Sequence, residues 1–472
     1  MPQQKYLLMT PPAEVVRQKR DTLTDPMLSI GYLAAALRIR GFDVEIFDPK
    51  YEGLTIKESF ERVKKINPTF VGLSSMTHEI VRAHKFAAML KKWCKDVSVA
   101  IGGPHATSLP SETMKEFSNF DFLVQKEGEE TILELASYLE NKALNISEIK
   151  GLVYRNSEEI RINEAREWNY ELDNLPFPAW DLYPQFRRSA FPILASRGCP
   201  YNCLFCMRVL GNKQRKRNPK NIVNEMEWLV NNFNPIEIHF EDETFGIDKE
   251  STYEICHEMQ SRGLHRRIKW RANIRINLVT EEFLSKIKES GCDSVGIGIE
   301  SGNEKILKDI KKGITLSQAE KVVRMCKNIK LGVRTYFILG HPNETLKTAI
   351  DTIRFAAKIK PTYTVFGIMV PYPNTEIAKM AERSEGGYRL LSKDWSDYDK
   401  HLGNALELKK LSRKKLEFLQ MGGYIYFYLR NLRLFDLLKF SIEQRIAIYN
   451  MFKKFLGISK KKIFSGFIRK RG

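Results

Sequence analysis

The sequence is poor in the features that mark membrane and secreted proteins. No stretch holds the roughly 20 uninterrupted apolar residues that a membrane-spanning helix needs. The opening, MPQQKYLLMTPPAEVV, lacks the charged start, long apolar run and small-residue cleavage site of a secretory signal. Cysteine is scarce: seven in 472 residues, an odd number, which argues against a disulfide scaffold. We therefore expect a cytoplasmic chain whose thiols stay reduced and open to metal chemistry. The composition, 43% hydrophobic and 28% charged, is globular and excludes a disordered, collagen-like or fibrous chain. At about 150 residues per domain the length suits two to four domains. The net charge is +19, but between Lys409 and Gly472 seventeen Lys/Arg face three Asp/Glu. The basicity belongs mainly to the tail.

The first ~140 residues alternate short apolar runs with helical patterns, as a doubly wound α/β sheet does. Strands are expected at Tyr6–Thr10, Asp43–Phe47, Phe70–Ser74, Val97–Ile101 and, last, Phe122–Gln125. Ligands in such folds sit at the C-terminal strand ends. Those ends carry Thr10, Asp48, Ser74, Ser75, Gly102, Gly103, His105, Glu127 and Gly128. The segment around Leu175-Pro-Phe-Pro-Ala-Trp180 reads as an extended connector, because its prolines resist a helix. A second alternation follows with six strands, beginning at Ile193–Ser196 and ending at Tyr363–Met369. It suits either an open sheet or part of a barrel. The expected division is 1–142, a connector 143–187, a second domain 188–382 and a helical, basic region 383–472.

The strongest chemical signal is Cys199-Pro-Tyr-Asn-Cys203-Leu-Phe-Cys206. Three thiolates so spaced suit three irons of a 4Fe-4S cube and leave one iron open to an outside ligand. A structural zinc site wants a fourth ligand, often from a second C-x2-C pair, and no such pair is present. Cys94, Cys256, Cys292 and Cys326 read as small core residues. Gly296-Ile-Gly298-Ile-Glu-Ser-Gly302 imitates a dinucleotide fingerprint. The next strand ends near Leu339, too far on for the required acid, so we reject a nicotinamide cofactor.

C-x3-C-x-aromatic-C, met here by Cys199, Cys203, Phe205 and Cys206, resembles the signature of radical S-adenosylmethionine (SAM) enzymes. Ile238–Phe245, Gly298–Gly302, Leu339–Thr345 and Pro371–Glu376 look like the family's later strand ends, in order. Gly31-Tyr-Leu-Ala-Ala, the Asp48 strand end, Gly102-Gly-Pro-His-Ala and Glu127-Gly-Glu129 are similar to the cobalamin-binding module of one large subfamily. The subfamily includes the anaerobic magnesium-protoporphyrin ester cyclase, hopanoid-modifying enzymes and C-methyltransferases. The resemblance covers about residues 5–380.

It implies a Rossmann-like cobalamin domain, then a partial (β/α)6 barrel. It implies a 4Fe-4S cluster on Cys199, Cys203 and Cys206, with SAM split to a 5′-deoxyadenosyl radical. Phe205, Arg271, Asn273, Arg275, Glu300 and Ser301 become SAM-binding candidates, with one of Glu241, Asp242 and Glu243 for the SAM ammonium. The nine N-terminal strand-end residues become cobalamin candidates. The D-x-H-x-x-G motif that places a histidine on cobalt is absent, so no histidine lower ligand is expected.

The expected reaction is methyl transfer from cobalamin to an unactivated carbon of a hydrophobic lipid, terpenoid or tetrapyrrole. Electrons would come from a reductase such as flavodoxin or ferredoxin. The alternatives are a radical cyclisation, oxygenation or rearrangement, and a non-catalytic iron–sulfur or corrinoid sensor. Three readings compete for the tail: a helical cap with a solvated basic face, a peripheral membrane anchor, and phosphate-mediated nucleic-acid binding. No zinc-finger, KH-like or RNP signature supports the last.

Overall fold

A computed structural model describes residues 4–13, 25–141, 144–157, 159–184, 190–400 and 403–443. The first sheet is built from β1 (Lys5–Met9), β2 (Asp43–Phe47), β3 (Phe70–Ser74), β4 (Ser98–Gly102) and β5 (Phe122–Val124), all parallel, in the order β2-β1-β3-β4-β5. Their apolar runs are buried on both faces, as parallel strands require. The Leu28–Ile39 and Glu129–Asn141 helices pack on one face, and Ile56–Ile66 and Ile80–Trp93 on the other. A Thr55/Glu58 capping box starts Ile56–Ile66, and Asn67 in the left-handed region ends it. The order switches direction between β1 and β3, which opens a crevice there at the strand ends.

Phe122–Gln125 was expected to end this sheet, and it does not. β6 (Leu152–Asn156) and β7 (Glu159–Ile162) add an antiparallel pair to the edge. Their short alternation lay inside the segment read as connector. The connector proper then docks on the first domain. Ala179 N–H donates to Gly31 O at 3.0 Å, and Trp180 is fully buried against Tyr183 and Phe191.

The second sheet runs β8 (Ala190–Ile193), β11 (Glu237–Phe245), β12 (Trp270–Ile274), β13 (Cys292–Glu300), β14 (Gly332–Leu339) and β15 (Tyr363–Ile368), parallel and in sequence order. Sequential neighbours with right-handed crossovers put every helix on one face. That order settles the choice left open by periodicity: this is a partial barrel, with helices outside and a concave inner face. The first strand lies at Ala190–Ile193, three residues before its expected start. Ser196–Arg197 instead forms β9, an antiparallel pair with β10 (Arg215–Lys216), and the cysteine loop hangs between them.

A small ribbon, β16 (Tyr388–Leu390) and β17 (Leu406–Leu408), leads to the Arg413–Arg430 helix. That helix packs on the Leu346–Ile359 helix and on β15. Phe366 N–H donates to Tyr424 Oη at 3.0 Å, and Gln420 Nε2 donates to Phe366 O at 2.6 Å. It thus covers the open edge of the barrel sheet, where unpaired backbone would otherwise be exposed. The Tyr449–Arg471 stretch of the tail lies outside the described residues. No described helix is long and apolar enough to cross a membrane.

Candidate functional site: two facing sheet edges

The cysteine loop follows β9 at the C-terminal edge of the barrel. Gly198 opens it at φ +89°, and a Cβ there would stand 2.2 Å from Lys213 O, so only glycine closes this turn. Cys199 N–H donates to Gly211 O, and Leu204 N–H to Ile310 O. The three thiols share one loop, with Cys203 buried, Cys199 half-buried and Cys206 exposed. A hydrogen bond from Cys206 pulls the Cys203 thiol toward thiolate, with help from Lys312 and Arg275, and the same bond pushes Cys206 up. Arg275 Nη1 reaches Cys203 Sγ at 3.5 Å, and its guanidinium lies 3.8 Å over the Tyr201 ring. Arg275 thus braces the loop. The remaining cysteines lie elsewhere. Cys292 begins β13 at the opposite end of the sheet, Cys256 accepts from Ser290 Oγ at 3.3 Å, and Cys326 is buried on a helix.

Two bulges shape the ground beside this loop. Between β11 and β12 the register skips from Phe240 to Phe245, so Glu241, Asp242 and Glu243 leave the ladder together. Asp242 is committed to local structure. It accepts from Ala195 N–H at 2.9 Å and Ser196 Oγ at 2.5 Å, and burial pushes it up to about 6. Glu243 accepts from the Gly198 and Leu210 backbone of the cysteine loop, and burial pushes it up to about 7. Glu241 is exposed and pairs with His239 at 2.9 Å. Burial lowers His239, but its hydrogen bonds to the Asp25 and Glu241 carboxylates outweigh it and raise the ring. Arg271 pairs with Asp25 and Glu237, and Asn273 accepts weakly from Tyr336 Oη at 3.5 Å.

The second bulge, at Ile299 against β14, leaves Glu300 at φ +73° and turns it inward. Glu300 faces neither solvent nor a helix end. It is buried and paired with Lys312 at 2.8 Å. A Cβ on Gly298 would stand 2.4 Å from that carboxylate, so the glycine that imitates a dinucleotide fingerprint makes room for an ion pair. Ser301 is fully buried, accepts from Asn303 N–H and meets Thr352 Oγ1, a structural role. His341 Nε2 lies 3.2 Å from Glu300 O, and its ring meets Phe205 edge-on at 6.3 Å. Burial pushes His341 down to about 4, so it is neutral at pH 7, and its Nδ1 has no partner among the described residues. Lys312 and His341 escaped the sequence reading. His341 lies in the Leu339–Thr345 segment quoted for the resemblance; nothing in the sequence marks Lys312.

The first sheet presents a cavity of about 340 Å³ at its β1/β3 switch point. Six of the nine N-terminal candidates line it: Ser74, Ser75, Gly102, Gly103, Glu127 and Gly128. Thr10 and Asp48 do not. Thr10 Oγ1 donates to Asp48 at 2.7 Å, and Asp48 caps the Pro49–Glu52 helix. His105 is also outside, buried edge-on against Trp395 and pushed down to about 4 by burial. Across the cavity stand Leu194, Arg197, Val209, Leu210 and Glu241, from the start of the barrel and its cysteine loop. The two domains are pinned around it by buried ion pairs. Arg197 bonds Glu127 and Glu129 at 2.8 and 2.7 Å, and Arg215 bonds Glu127 at 2.7 Å.

The residues present fit the groups that the resemblance implies. Three thiols on one loop, two of them hydrogen-bonded together and flanked by two cations, suit an anionic iron–sulfur cluster. The cavity is roomy and mostly apolar. At its floor Gly103, φ +97°, lies so near Ser75 that a Cβ would meet its backbone O at 2.7 Å, so the wall is bare backbone, open to a broad flat ligand. Fold and site thus define a protein that holds a corrinoid beside a cysteine loop.

Comparison with known proteins agrees. The model of the radical SAM superfamily matches residues 193–356, and that of the B12 binding domain matches 23–136. An uncharacterized methyltransferase of Pyrococcus horikoshii is 34% identical over 433 residues, 90% of this chain and 93% of that protein. The anaerobic magnesium-protoporphyrin IX monomethyl ester cyclase of Cereibacter sphaeroides is 26% identical over 86% of this chain and 67% of its own. The radical SAM methyltransferase TsrM of Kitasatospora setae, solved with cobalamin and a [4Fe-4S] cluster, superposes with a TM-score of 0.71 at 17% identity, covering 90% of this chain and 89% of that one. The chain belongs to the B12-binding radical SAM family. It is an enzyme, and its cofactors are a 4Fe-4S cluster, SAM and cobalamin. That sets the sensor reading aside.

Proposed function

We propose that the protein transfers a methyl group to an unactivated carbon of a hydrophobic small molecule. The observation that carries this is the shared wall: Leu210, within the cysteine loop, lines the corrinoid cavity together with Glu241 of β11, whose neighbour Glu243 is bonded to that loop. A substrate held there meets both cofactors. When bound, the cluster supplies the electron that splits SAM to a hydrogen-abstracting radical, and the corrinoid supplies the methyl group.

The residues have separable tasks in this reading. Cys199, Cys203 and Cys206 hold the cluster. Arg275 and Lys312 keep Cys203 anionic and ready for iron. Glu243 ties Gly198 and Leu210 together, fixing the loop's entry and exit. Phe205 and the neutral His341 give SAM a dry surface, and Glu300, oriented by Lys312, meets its polar groups. Glu241 and His239 border the acceptor, with Asp25 and Arg271 behind them. Ser74, Ser75, Gly102, Gly103 and Gly128 receive the corrinoid, and Glu127 locks the domains. Thr10, Asp48 and Ser301 drop out as contacts because internal hydrogen bonds occupy them, and His105 because it is packed against Trp395 outside the cavity. The acceptor is of lipid, terpenoid or tetrapyrrole class, a flavodoxin- or ferredoxin-like reductase delivers electrons, and a peripheral membrane contact suits such an acceptor. The division of the chain at 142, 187 and 382 belongs to the same proposal, with β6 and β7 moved into the first domain.

Reconstituted protein with methyl-labelled SAM and a strong reductant is expected to form 5′-deoxyadenosine and to pass label to an acceptor. Cys203→Ala should abolish both. No 5′-deoxyadenosine from the reconstituted protein, or a Cys203→Ala variant with full cluster content and full SAM cleavage, sinks the proposal. The protoporphyrin cyclase relative favours a second reading, radical cyclisation: 5′-deoxyadenosine forms but no label leaves SAM for the product.

A further inference from the structure

The described surface carries one apolar concentration outside the cofactor sites. Nine of its seventeen exposed large hydrophobic side chains fall between Phe418 and Ile442. The Arg413–Arg430 helix buries Leu416, Leu419, Tyr424 and Phe427 against the barrel, yet its outer side is apolar too. Phe418, Ile425 and Leu429 recur there at helical spacing, 67%, 43% and 48% exposed. The Leu434–Glu443 helix continues the ridge with Leu434, Phe435 and Leu438, of which Phe435 is 90% exposed. Leu432, in the turn between the helices, is 86% exposed. A contiguous ridge of this kind on a water-facing surface marks an interaction site.

Charge surrounds it. Between the Leu346–Ile359 and Arg413–Arg430 helices lies a cavity of about 510 Å³, lined by Arg354, Lys358, Lys360 and Arg430 against one acid, Asp351, with Tyr426 at its side. All four cations are exposed. The chain beyond Glu443 adds nine Lys/Arg and no Asp/Glu over residues 444–472. Protruding Leu and Phe with a cationic border match an anionic bilayer, whose acyl region takes the apolar side chains and whose headgroup phosphates meet the cations.

We propose that the Phe418–Ile442 ridge docks the enzyme on an anionic lipid bilayer, with Arg354, Lys358, Lys360 and Arg430 receiving headgroup phosphates. This deepens the reading of a lipid-soluble acceptor, on which it rests for its purpose but not for its test. The ridge lies on the helix that covers β15, so docking leaves the cysteine loop and corrinoid cavity intact.

The test is co-sedimentation of the purified full chain with vesicles of phosphatidylcholine alone, or of phosphatidylcholine and phosphatidylglycerol in equal parts. The wild-type chain should partition to the mixed vesicles and not to phosphatidylcholine alone. The Leu434→Asp/Phe435→Asp variant should lose at least about tenfold in partitioning. Arg354→Glu/Arg430→Glu should lose about tenfold or more, since each basic residue near an anionic surface contributes about fivefold. Leu434→Met/Phe435→Leu should retain it. SAM cleavage, measured on the same preparations, should be unchanged in every variant; it reports separately on the catalytic reading. Three results overturn the docking surface: no preference for phosphatidylglycerol, wild-type partitioning by the Leu434→Asp/Phe435→Asp variant, or a wild-type dimer that this variant converts to monomer. The second would assign binding to residues 444–472, and the third would make a second copy the occupant.

Discussion

The Glu300–Lys312 pair offers the sharpest test of how the barrel edge is built. Its charged atoms stand 2.8 Å apart, with side chains 8% and 9% exposed. At an effective dielectric of about 20 the gross attraction is about 6 kcal/mol, and desolvation of both ions offsets much of it. The two singles therefore differ from the double. Lys312→Met strands a buried carboxylate and Glu300→Gln strands a buried ammonium, so each should cost about 3–5 kcal/mol. The double variant removes both charges and should lie within about 2 kcal/mol of wild type. Urea unfolding of the cluster-free protein, followed by circular dichroism, should give a coupling energy of about 3 kcal/mol or more. A coupling under about 0.5 kcal/mol is what a solvated surface pair gives. That result would mean that the β13 bulge does not aim Glu300 inward, and the assignment of Glu300 to SAM would fall with it.

Three further perturbations probe other parts. Gly103→Ala forces a side chain into a backbone region that L residues avoid, at about 1–3 kcal/mol, and presses on the Ser75 backbone. Cobalamin binding by absorbance titration should weaken at least about tenfold, and unchanged affinity would remove Gly103 from the corrinoid wall. Arg215→Met leaves Glu127 with Arg197 as its one remaining cation beside the Asn169 N–H and should cost about 3 kcal/mol or more in urea; a loss under about 1 kcal/mol refutes a tight junction. Glu344 is pushed up to about 8 by burial, so the fold keeps a proton that the unfolded chain releases above about 4.5. Its contribution makes stability fall as pH rises from about 4.5 to about 8, then level off. Glu344→Gln should flatten that part of the pH profile, and identical slopes for the two proteins would contradict it.

Much of the architecture was legible because it rests on periodicity. Strand–helix alternation located five of the six barrel strands and set the first one three residues late, and three thiols in eight residues located the loop. The misses share a physical cause: they depend on register and pairing, which sequence spacing does not encode. The β6–β7 hairpin hid in a segment dominated by its prolines. The Ile299 bulge, and with it the direction of Glu300, exists only relative to β14. Three adjacent acids looked equivalent in sequence, yet the β11 bulge sends Asp242 into the Ala195–Ser196 turn and Glu243 to the cysteine loop, and leaves Glu241 exposed. His105 followed a glycine-rich strand end and so looked accessible, but its short helix turns it under Trp395.

The position of Glu127 explains how the two halves of the site stay aligned. It follows β5 in the Glu127-Gly128-Glu129 segment, whose glycine lines the corrinoid cavity. Its carboxylate binds Arg197, on the strand that starts the cysteine loop, and Arg215, on the strand that receives it back. Arg215 also donates to Leu210 O inside the loop, and its guanidinium lies over Trp168 of the connector. One buried carboxylate thus fixes the loop's beginning, its end and the opposite cavity wall. Each of these charges is costly to bury unless all partners are in place. The network therefore admits one relative placement of the two domains, and that placement keeps the corrinoid wall and the cysteine loop facing a common space.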